Sequence, residues 1–133
     1  DADLILLSMG TIGSEAKIAI DNLRRQGLKV GSARLRVFRP FPKQEILKLG
    51  ENAQMIAVID RQISFGMEGP LFTETKASLY ESKSDPPAVA SFIAGLGGRD
   101  VTYHDIERVA LKSLKQLNSR KIEERVEWIN LRM

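Results

Sequence analysis

The sequence predicts an α/β fold in three layers, α/β/α, with helices on both faces of a mainly parallel four-stranded sheet in the order 2-1-3-4. Four apolar runs of strand length alternate with patterns of helical period along the 133 residues, which is typical of a parallel sheet. Two of these runs, residues 4–7 and 55–59, are continuously apolar, as strands covered on both faces usually are. Right-handed connections, with the first two crossovers on opposite faces, favour the flavodoxin-like strand order.

The first strand, residues 4–7, leads through a loop at residues 9–13 into the first helix. We expect this helix to begin near Ser14, because serine caps helix N-termini well and Glu15 follows in the first turn. Gly27 would end the helix as its C′ residue. The residues of its buried stripe recur at helical spacing and are Ala16, Ala19, Ile20 and Leu23.

The second strand, residues 30–38, differs from the first because Arg34 and Arg36 alternate with apolar residues. Alternation indicates that one face or one edge of the strand is not covered by core. The arginines are equally typical of contact with another polypeptide and of a solvated edge that charge protects from aggregation. Pro42 then opens a short helix over residues 44–49.

The second half of the chain continues the alternation of strands and helices. The third strand, residues 55–59, is followed by a loop at residues 60–69 and by a helix that Pro70 opens. The fourth strand, residues 89–94, ends at a glycine-rich loop, residues 95–100. No internal repeat and no linker-like stretch interrupts this pattern.

The last long helix begins after Thr102, which forms a weak capping box with Asp105. The buried face of this helix comprises Ile106, Val109, Ala110, Leu114 and Leu117. Three apolar residues of the tail also have helical spacing and predict one more short helix: Ile122, Val126 and Ile129. We therefore expect one α/β domain over residues 1–118 and a basic tail over residues 119–133 that packs on the domain or on a partner.

Composition and charge argue against several classes of protein. The net charge of +3 arises in residues 111–133, which hold six basic and three acidic side chains, so no nucleic-acid surface is predicted. Cysteine is absent, which excludes disulfides and cysteine ligands to zinc or iron–sulfur clusters, and a single His argues against a metal site. No apolar run approaches the roughly 20 residues of a membrane helix, and no secretory leader is visible, so we expect a soluble cytoplasmic protein.

Ligands of such sheets bind beyond the carboxyl ends of the strands. The polar side chains of those loops include Arg39, Arg61, Glu68, Arg99 and Asp100. The loop at residues 60–69 could contact a partner, but a surface ion-pair network of Asp60, Arg61 and Glu68 is favoured. Residues 95–98 could form an anion-binding nest, but a structural tight turn is favoured. His104 is expected to be a surface residue, because no Ser or Cys nucleophile elbow accompanies it, and no complete catalytic set is present.

Three segments carry a resemblance to a known family. They are residues 37–42 (Val-Phe-Arg-Pro-Phe-Pro), residues 59–64 with Glu68-Gly69, and residues 93–102 (Ile-Ala-Gly-Leu-Gly-Gly-Arg-Asp-Val-Thr). In this order they resemble the C-terminal part of the alpha subunit of pyruvate:ferredoxin oxidoreductase, also called pyruvate synthase, and of related 2-oxoacid:ferredoxin oxidoreductases. The resemblance spans nearly the whole chain, and it implies a fold like the C-terminal domain of transketolases.

The resemblance implies an enzyme that converts pyruvate and coenzyme A to acetyl-CoA, carbon dioxide and reduced ferredoxin. Thiamine diphosphate, magnesium and iron–sulfur clusters are implied for the complete enzyme, but none of them for this segment, which lacks the Gly-Asp-Gly…Asn diphosphate motif and cysteine. We therefore expect a non-catalytic assembly domain that is inactive alone. Its candidate interface or anion-binding residues are Arg39, Arg61, Ser64, Glu68, Gly97, Gly98, Arg99 and Asp100.

The implied partners are the other domains and subunits of the oxidoreductase, with coenzyme A as a further candidate and neither nucleic acid nor membrane. Domains of the transketolase type also carry an earlier antiparallel strand beside the second strand. If the chain starts after that strand, residues 34–37 lie on an exposed edge that could form a homodimer by strand addition. Two alternatives stay open: a free-standing flavodoxin-like module that binds phosphate or coenzyme A at residues 95–100, and an adaptor that binds acidic partners through its basic tail.

Overall fold

The computed structural model describes residues 2–10, 12–61, 68–82, 85–96, 100–119 and 127–129. In chain order, these residues form β1 (Leu4–Met9), α1 (Ile12–Arg25), β2 (Val30–Leu35), α2 (Lys43–Asn52), β3 (Met55–Asp60), α3 (Pro70–Leu79), β4 (Ala88–Ala94), α4 (Tyr103–Ser119) and β5 (Glu127–Ile129). All strand pairs are parallel, and the order across the sheet is β2-β1-β3-β4-β5. The α/β class and the 2-1-3-4 order of the first four strands are confirmed.

The strand β5 differs from the prediction for the tail. Its register pairs Phe92 with Glu127 and Ala94 with Ile129, so Ile129 belongs to the sheet and the expected short helix is wrong at this residue. The open edge of β4 offers backbone partners that helical spacing in the sequence does not reveal. Ile122 and Val126, the other two residues of that pattern, lie outside the described residues.

The core consists of two layers, one on each face of the sheet. Because neighbouring residues of a strand point to opposite faces, Leu6 of β1 packs in the layer under α1 and α4, whereas Leu7 packs in the layer under α2 and α3. Residues 55–60 of β3 are buried throughout, as a central strand requires. β3 therefore lies at the centre of the domain, and its carboxyl end opens between the two layers.

The ends of several elements differ from the predicted ones. α1 begins at Ile12 rather than near Ser14, because Gly10 adopts a φ of 66° and its carbonyl accepts the Gly13 amide at 3.1 Å. β2 ends at Leu35 rather than at residue 38, and α2 extends to Asn52.

Other predicted helix ends are confirmed. Gly27, with a φ of 85°, follows α1, and Pro70 begins α3. The Thr102 amide donates to Asp105 Oδ2 at 3.0 Å, and the Asp105 amide donates to Thr102 Oγ1 at 3.4 Å, which is a capping box. Among the described residues, no helix combines the length and the apolar character needed to cross a membrane.

Candidate functional site at the carboxyl edge of the sheet

A cleft of about 450 Å³ lies where β1 and β3 end side by side. It is lined by Met9, Gly10, Phe38, Ile59, Asp60, Arg61, Pro70 and Leu71. The chain leaves β1 toward β2 and leaves β3 toward β4, so the cleft occupies the point where the direction of strand connection reverses. Open α/β sheets bind ligands and partners at this point. We call this cavity the edge cleft.

Asp60, the last residue of β3, is the buried polar group of the edge cleft. The residue is only 5% exposed. Its two carboxylate oxygens accept hydrogen bonds from backbone amides of α3, with Oδ1 2.9 Å from Leu71 N and Oδ2 3.1 Å from Phe72 N. Burial raises the pKa of Asp60 from 3.8 to about 6, the two amides oppose this shift, and the nearby charge of Glu68 adds to it. Asp60 thus caps a helix that begins ten positions further along the chain.

Gly69 makes this cap sterically feasible. A Cβ atom built on Gly69 would overlap the carboxylate of Asp60, so only glycine lets the two segments approach this closely. Thr73 secures the same turn, because its amide donates to the Gly69 carbonyl at 3.1 Å and its Oγ1 donates to Glu68 Oε1 at 3.1 Å. Glu68 and Gly69 are therefore held against the first turn of α3.

Arg61 connects the end of β3 to the loop after β4. Its side chain lies against Gly95, where an added Cβ would come within 2.7 Å of Arg61 Nε and 2.9 Å of Val101 Cγ2. Gly95 has a φ of 76°, a conformation that suits the predicted tight turn. The guanidinium and the turn thus meet at the same edge of the sheet as the cleft.

Arg39 forms the outer rim of the cleft rather than its interior. Its side chain is 63% exposed, its Nη2 lies 2.8 Å from Glu74 Oε1 of α3, and its guanidinium carbon lies 4.3 Å from the centre of the Phe38 ring. The Phe38 ring in turn packs edge-to-face on Phe41 at 5.7 Å. The ion pair therefore attaches the loop after β2 to α3, and the cation–π contact with Phe38 orients the Arg39 side chain within that loop.

Of the predicted site residues, Arg61 lines the cleft, Arg39 pairs with Glu74 of α3, and Glu68 accepts a hydrogen bond from Thr73 of α3. Asp100 is exposed at the end of the loop after β4. The remaining candidates, Ser64, Gly97, Gly98 and Arg99, lie outside the described residues. The expected surface ion-pair network differs from what is seen, because Asp60 is buried and accepts helix amides. His104 is exposed and stacks on Tyr103, with 4.0 Å between the ring centres.

The role of Asp60 was missed by sequence reasoning, although a signal existed. An acidic residue that ends a continuously apolar strand, followed by Gly-Pro at a helix start, leaves the helix without a side-chain cap of its own. The carboxylate at the end of the adjacent strand is then an available acceptor.

A second, larger cavity of about 730 Å³ runs between α2 and β2, the strand with only one described neighbour in the sheet. We call it the edge groove. Its apolar lining comprises Ile5, Leu7, Ala33, Leu35, Val37, Ile46 and Leu49. Val37 is 54% exposed at its end. The Arg34 side chain crosses Gly13 at the start of α1, where a Cβ would meet Arg34 Cγ at 2.7 Å.

Comparison with known proteins places the chain in a family. Residues 2–106 match the profile described as pyruvate:ferredoxin oxidoreductase core domain II. The chain belongs to this family. The domain II chain is 46% identical to the ketoisovalerate oxidoreductase subunit VorA of Pyrococcus furiosus over 132 residues. The aligned region covers 99% of this chain and 33% of the relative.

Pyruvate synthase subunits are also similar to this domain II chain. The subunit PorA of Pyrococcus furiosus is 39% identical over 132 residues, or 99% of this chain and 33% of the relative. PorA of Methanosarcina barkeri is 41% identical over 120 residues, or 90% of this chain and 30% of the relative. The chain therefore spans about one third of the length of these curated relatives.

The donor set of the domain II chain does not fit an iron–sulfur cluster, because such clusters are held by cysteine thiolates and the sequence contains no cysteine. Within the described parts of the chain, no three His, Cys, Asp or Glu side chains are grouped so that they could hold a metal ion. What the described residues do offer is an apolar cleft with two charged groups and an apolar groove along a strand edge.

Proposed function

We propose that this chain is a non-catalytic assembly domain in the alpha subunit of a thiamine-diphosphate-dependent 2-oxoacid:ferredoxin oxidoreductase of the cytoplasm. The complete enzyme would transfer the acyl group of a 2-oxoacid to the thiol of coenzyme A, release carbon dioxide and pass two electrons to ferredoxin. Membership of the core domain II family supports the parent enzyme, and the lack of cysteine supports a role without redox centres. The cofactors would be held by other parts of the enzyme.

The edge groove, together with the strand edge beside it, is the surface through which we propose that the domain assembles. One edge of β2 has no partner strand among the described residues, and such an edge presents backbone donors and acceptors. The groove beside it adds apolar surface formed by Ala33, Leu35 and Val37. Exposed strand edges are commonly covered in assemblies, because another strand can satisfy their backbone groups.

A homodimer through β2 is the specific form of assembly that we propose for the chain alone. An antiparallel pairing of two copies centred on Ala33 sets Arg34 of one copy opposite Ser32 of the other, and Arg36 opposite Val30. Like charges do not face each other directly in this register, which removes a repulsion that would otherwise oppose pairing.

The test uses two exposed aliphatic residues of similar exposure on different faces. Val37 is 54% exposed at the edge groove, whereas Ile18 is 47% exposed on α1. We expect Val37→Glu to lower the dimer fraction in sedimentation velocity, and to lower the yield of assembled enzyme when the change is made in the full-length subunit. Ile18→Glu serves as the matched control and should change neither. Equal loss in both variants, or loss in neither, would contradict the assembly role of the groove.

The activity is tested separately. We expect the 133-residue chain alone to reduce no ferredoxin with pyruvate or 2-oxoisovalerate and coenzyme A, whereas the full-length subunit with its partners should do so. Turnover by the chain alone would disprove the non-catalytic role. Because identity is higher to the ketoisovalerate subunit (46%) than to the pyruvate synthase subunit (39%) of the same organism, we expect the parent enzyme to have the higher kcat/KM with 2-oxoisovalerate.

A second candidate function is the binding of a phosphate group or of coenzyme A at the carboxyl edge. The observation in its favour is the Arg61 guanidinium beside the left-handed turn at Gly95, since cations and turn amides both attract phosphate. Isothermal calorimetry with coenzyme A on the 133-residue chain tests it. Heat that Arg61→Gln abolishes would support this candidate, and the absence of heat at saturating coenzyme A would eliminate it.

A further inference from the structure

The N-terminus of α3 depends on a carboxylate that is remote in sequence. Asp60 is separated from its amide partners, Leu71 and Phe72, by 11 and 12 positions. The local N-cap residue, Gly69, has no side chain and makes no side-chain cap hydrogen bond. Because Gly69 lacks a Cβ, the Asp60 carboxylate can occupy the space in which a capping side chain would lie.

The protonation state of Asp60 determines how many of these bonds can exist. An ionised carboxylate accepts hydrogen bonds at both oxygens. A protonated carboxyl group carries a hydrogen on one oxygen, which then faces an amide N–H that is also a donor, and that hydrogen bond is lost. Proton uptake therefore costs one helix-capping bond, and it simultaneously removes the cost of a charge in a buried position. Protonation therefore weakens the attachment of the first turn of α3, whereas it stabilises the folded domain as a whole.

Among the described residues, the charged groups around Asp60 come from three segments. Burial is the largest cause that raises the pKa of Asp60 to about 6, and the charge of Glu68 contributes to the same shift. Arg61 follows Asp60 directly but extends toward Gly95. Arg39 and Glu74 form the rim ion pair of 2.8 Å that ties the loop after β2 to α3. The other described residues that line the cleft, from β1 and from Pro70 and Leu71, are uncharged.

α3 is thus attached at the edge cleft both by a buried contact at Asp60 and by an exposed contact at Arg39. Leu71, whose amide Asp60 holds, also lines the cleft, so a displacement of this turn alters the wall of the cavity directly. We infer that Asp60 is a proton-sensitive latch: when ionised it holds the first turn of α3 against β3 and sets the width of the edge cleft, and when protonated it releases one amide and loosens that wall. Interactions with a neighbouring domain at this cleft would then weaken as the pH falls.

The latch is tested on the isotopically labelled 133-residue chain by nuclear magnetic resonance between pH 4.5 and 8. We expect the amide shifts of Leu71 and Phe72 to show one inflection near pH 6, and the hydrogen-exchange protection of one of the two amides to fall at least tenfold relative to the other below it. The Met9 methyl signal, which reports on the opposite wall of the cleft, should follow the same inflection. The Gly13 amide is the internal control, because its acceptor is the Gly10 carbonyl and not a carboxylate.

Two variants decide the assignment. Glu68→Gln should move the inflection to lower pH, because it removes a charge that raises the pKa of Asp60. Asp60→Asn should abolish the inflection. An inflection that persists in Asp60→Asn or does not move in Glu68→Gln overturns the latch, as does its absence in the wild type. Titration of the α3 amides without the Met9 methyl overturns the link to the cleft. None of these readouts depends on the parent enzyme, so failure of the assembly role and failure of the latch are distinguishable.

Discussion

Lys112 Nζ lies 2.8 Å from Glu127 Oε2, and this pair ties the outer face of α4 to the three-residue strand β5. Gln116, one helical turn beyond Lys112, donates to the other carboxylate oxygen of Glu127 at 3.2 Å. A single side chain of β5 is therefore held by two residues of the same helix face. This arrangement explains how so short a strand keeps its place at the edge of the sheet.

Removal of the Glu127 carboxylate is expected to detach β5. We predict that Glu127→Ala lowers the free energy of unfolding by about 1 kcal/mol, since a partly buried charged hydrogen bond contributes more than an exposed one. It should also raise hydrogen exchange at residues 92–94 of β4, which pair with β5. Urea unfolding and exchange measurements check both. Glu81→Ala, which breaks the more exposed pair with Lys43, is the control and should have the smaller effect on stability. A larger loss in the control would contradict the prediction.

The contact between Gly69 and Asp60 predicts a strong coupling between the two positions. Gly69→Ala should lower the free energy of unfolding by about 2 kcal/mol, because the new methyl group overlaps the carboxylate in a packed environment. In an Asp60→Ala background the same change should cost much less, and a double-mutant cycle measures the difference. Gly27→Ala gives a reference of about 1 kcal/mol for strain alone, because its φ is positive but no atom lies near its Cβ. Additive losses at positions 60 and 69 would refute the coupling.

The raised pKa of Asp60 predicts a pH-dependent stability with a definite sign. A folded-state pKa of about 6 against 3.8 means that the folded chain binds a proton more tightly than the unfolded chain. The stability contributed by this group is therefore complete below about pH 4 and is lost as the pH rises through about 6, a change of roughly 3 kcal/mol. Asparagine does not titrate, so the stability of Asp60→Asn relative to wild type should improve over this interval. Urea unfolding at half-unit steps checks it, and a relative stability that declines with rising pH would show the reverse shift.

Two fully buried serines predict unequal consequences of losing a hydroxyl group. Ser8 Oγ, in β1, has no hydrogen-bond partner among the described residues, whereas Ser113 Oγ donates to the Val109 carbonyl at 2.8 Å. Ser8→Ala should raise the free energy of unfolding by up to about 1 kcal/mol, because it removes an uncompensated polar group from the core. Ser113→Ala should raise the free energy of unfolding less, because it removes a hydrogen bond, even though alanine is the better helix former. Thermal and urea unfolding of both variants test this, and a loss on Ser8→Ala would indicate a partner for its hydroxyl.

Sequence patterns predicted the elements that are determined by local residue types. Continuous apolar runs identified β1 and β3, Pro70 identified the start of α3, and Thr102 with Asp105 identified the start of α4. The loops at the carboxyl edge were also predicted as the site, because parallel strands present all their carboxyl ends at one edge. These features depend on periodicity and on caps within a few residues.

The features that were missed depend on partners distant in the chain. The sequence predicted Asp60 to be a surface charge, because nothing close to it in the chain shows that it accepts hydrogen bonds from the amides of Leu71 and Phe72. Ile129 had the spacing of a helix, but the open edge of β4 and the clamp on Glu127 hold it in a strand. Local propensity is too weak to resist such contacts, because one backbone ladder or one buried charge contributes as much as several propensity differences.

By itself, the sequence determined the α/β class, the order of the first four strands, the absence of cysteine ligands and, through its motifs, the family. These follow from residue types and spacing, which need no knowledge of distant contacts. Only the tertiary structure decided that the carboxylate at the end of β3 is a buried cap with a raised pKa, and that the tail adds a fifth strand. It also decided that an apolar groove follows the edge of β2 that has no partner among the described residues. The physical reason is that burial, desolvation and edge pairing arise only when remote segments are packed together.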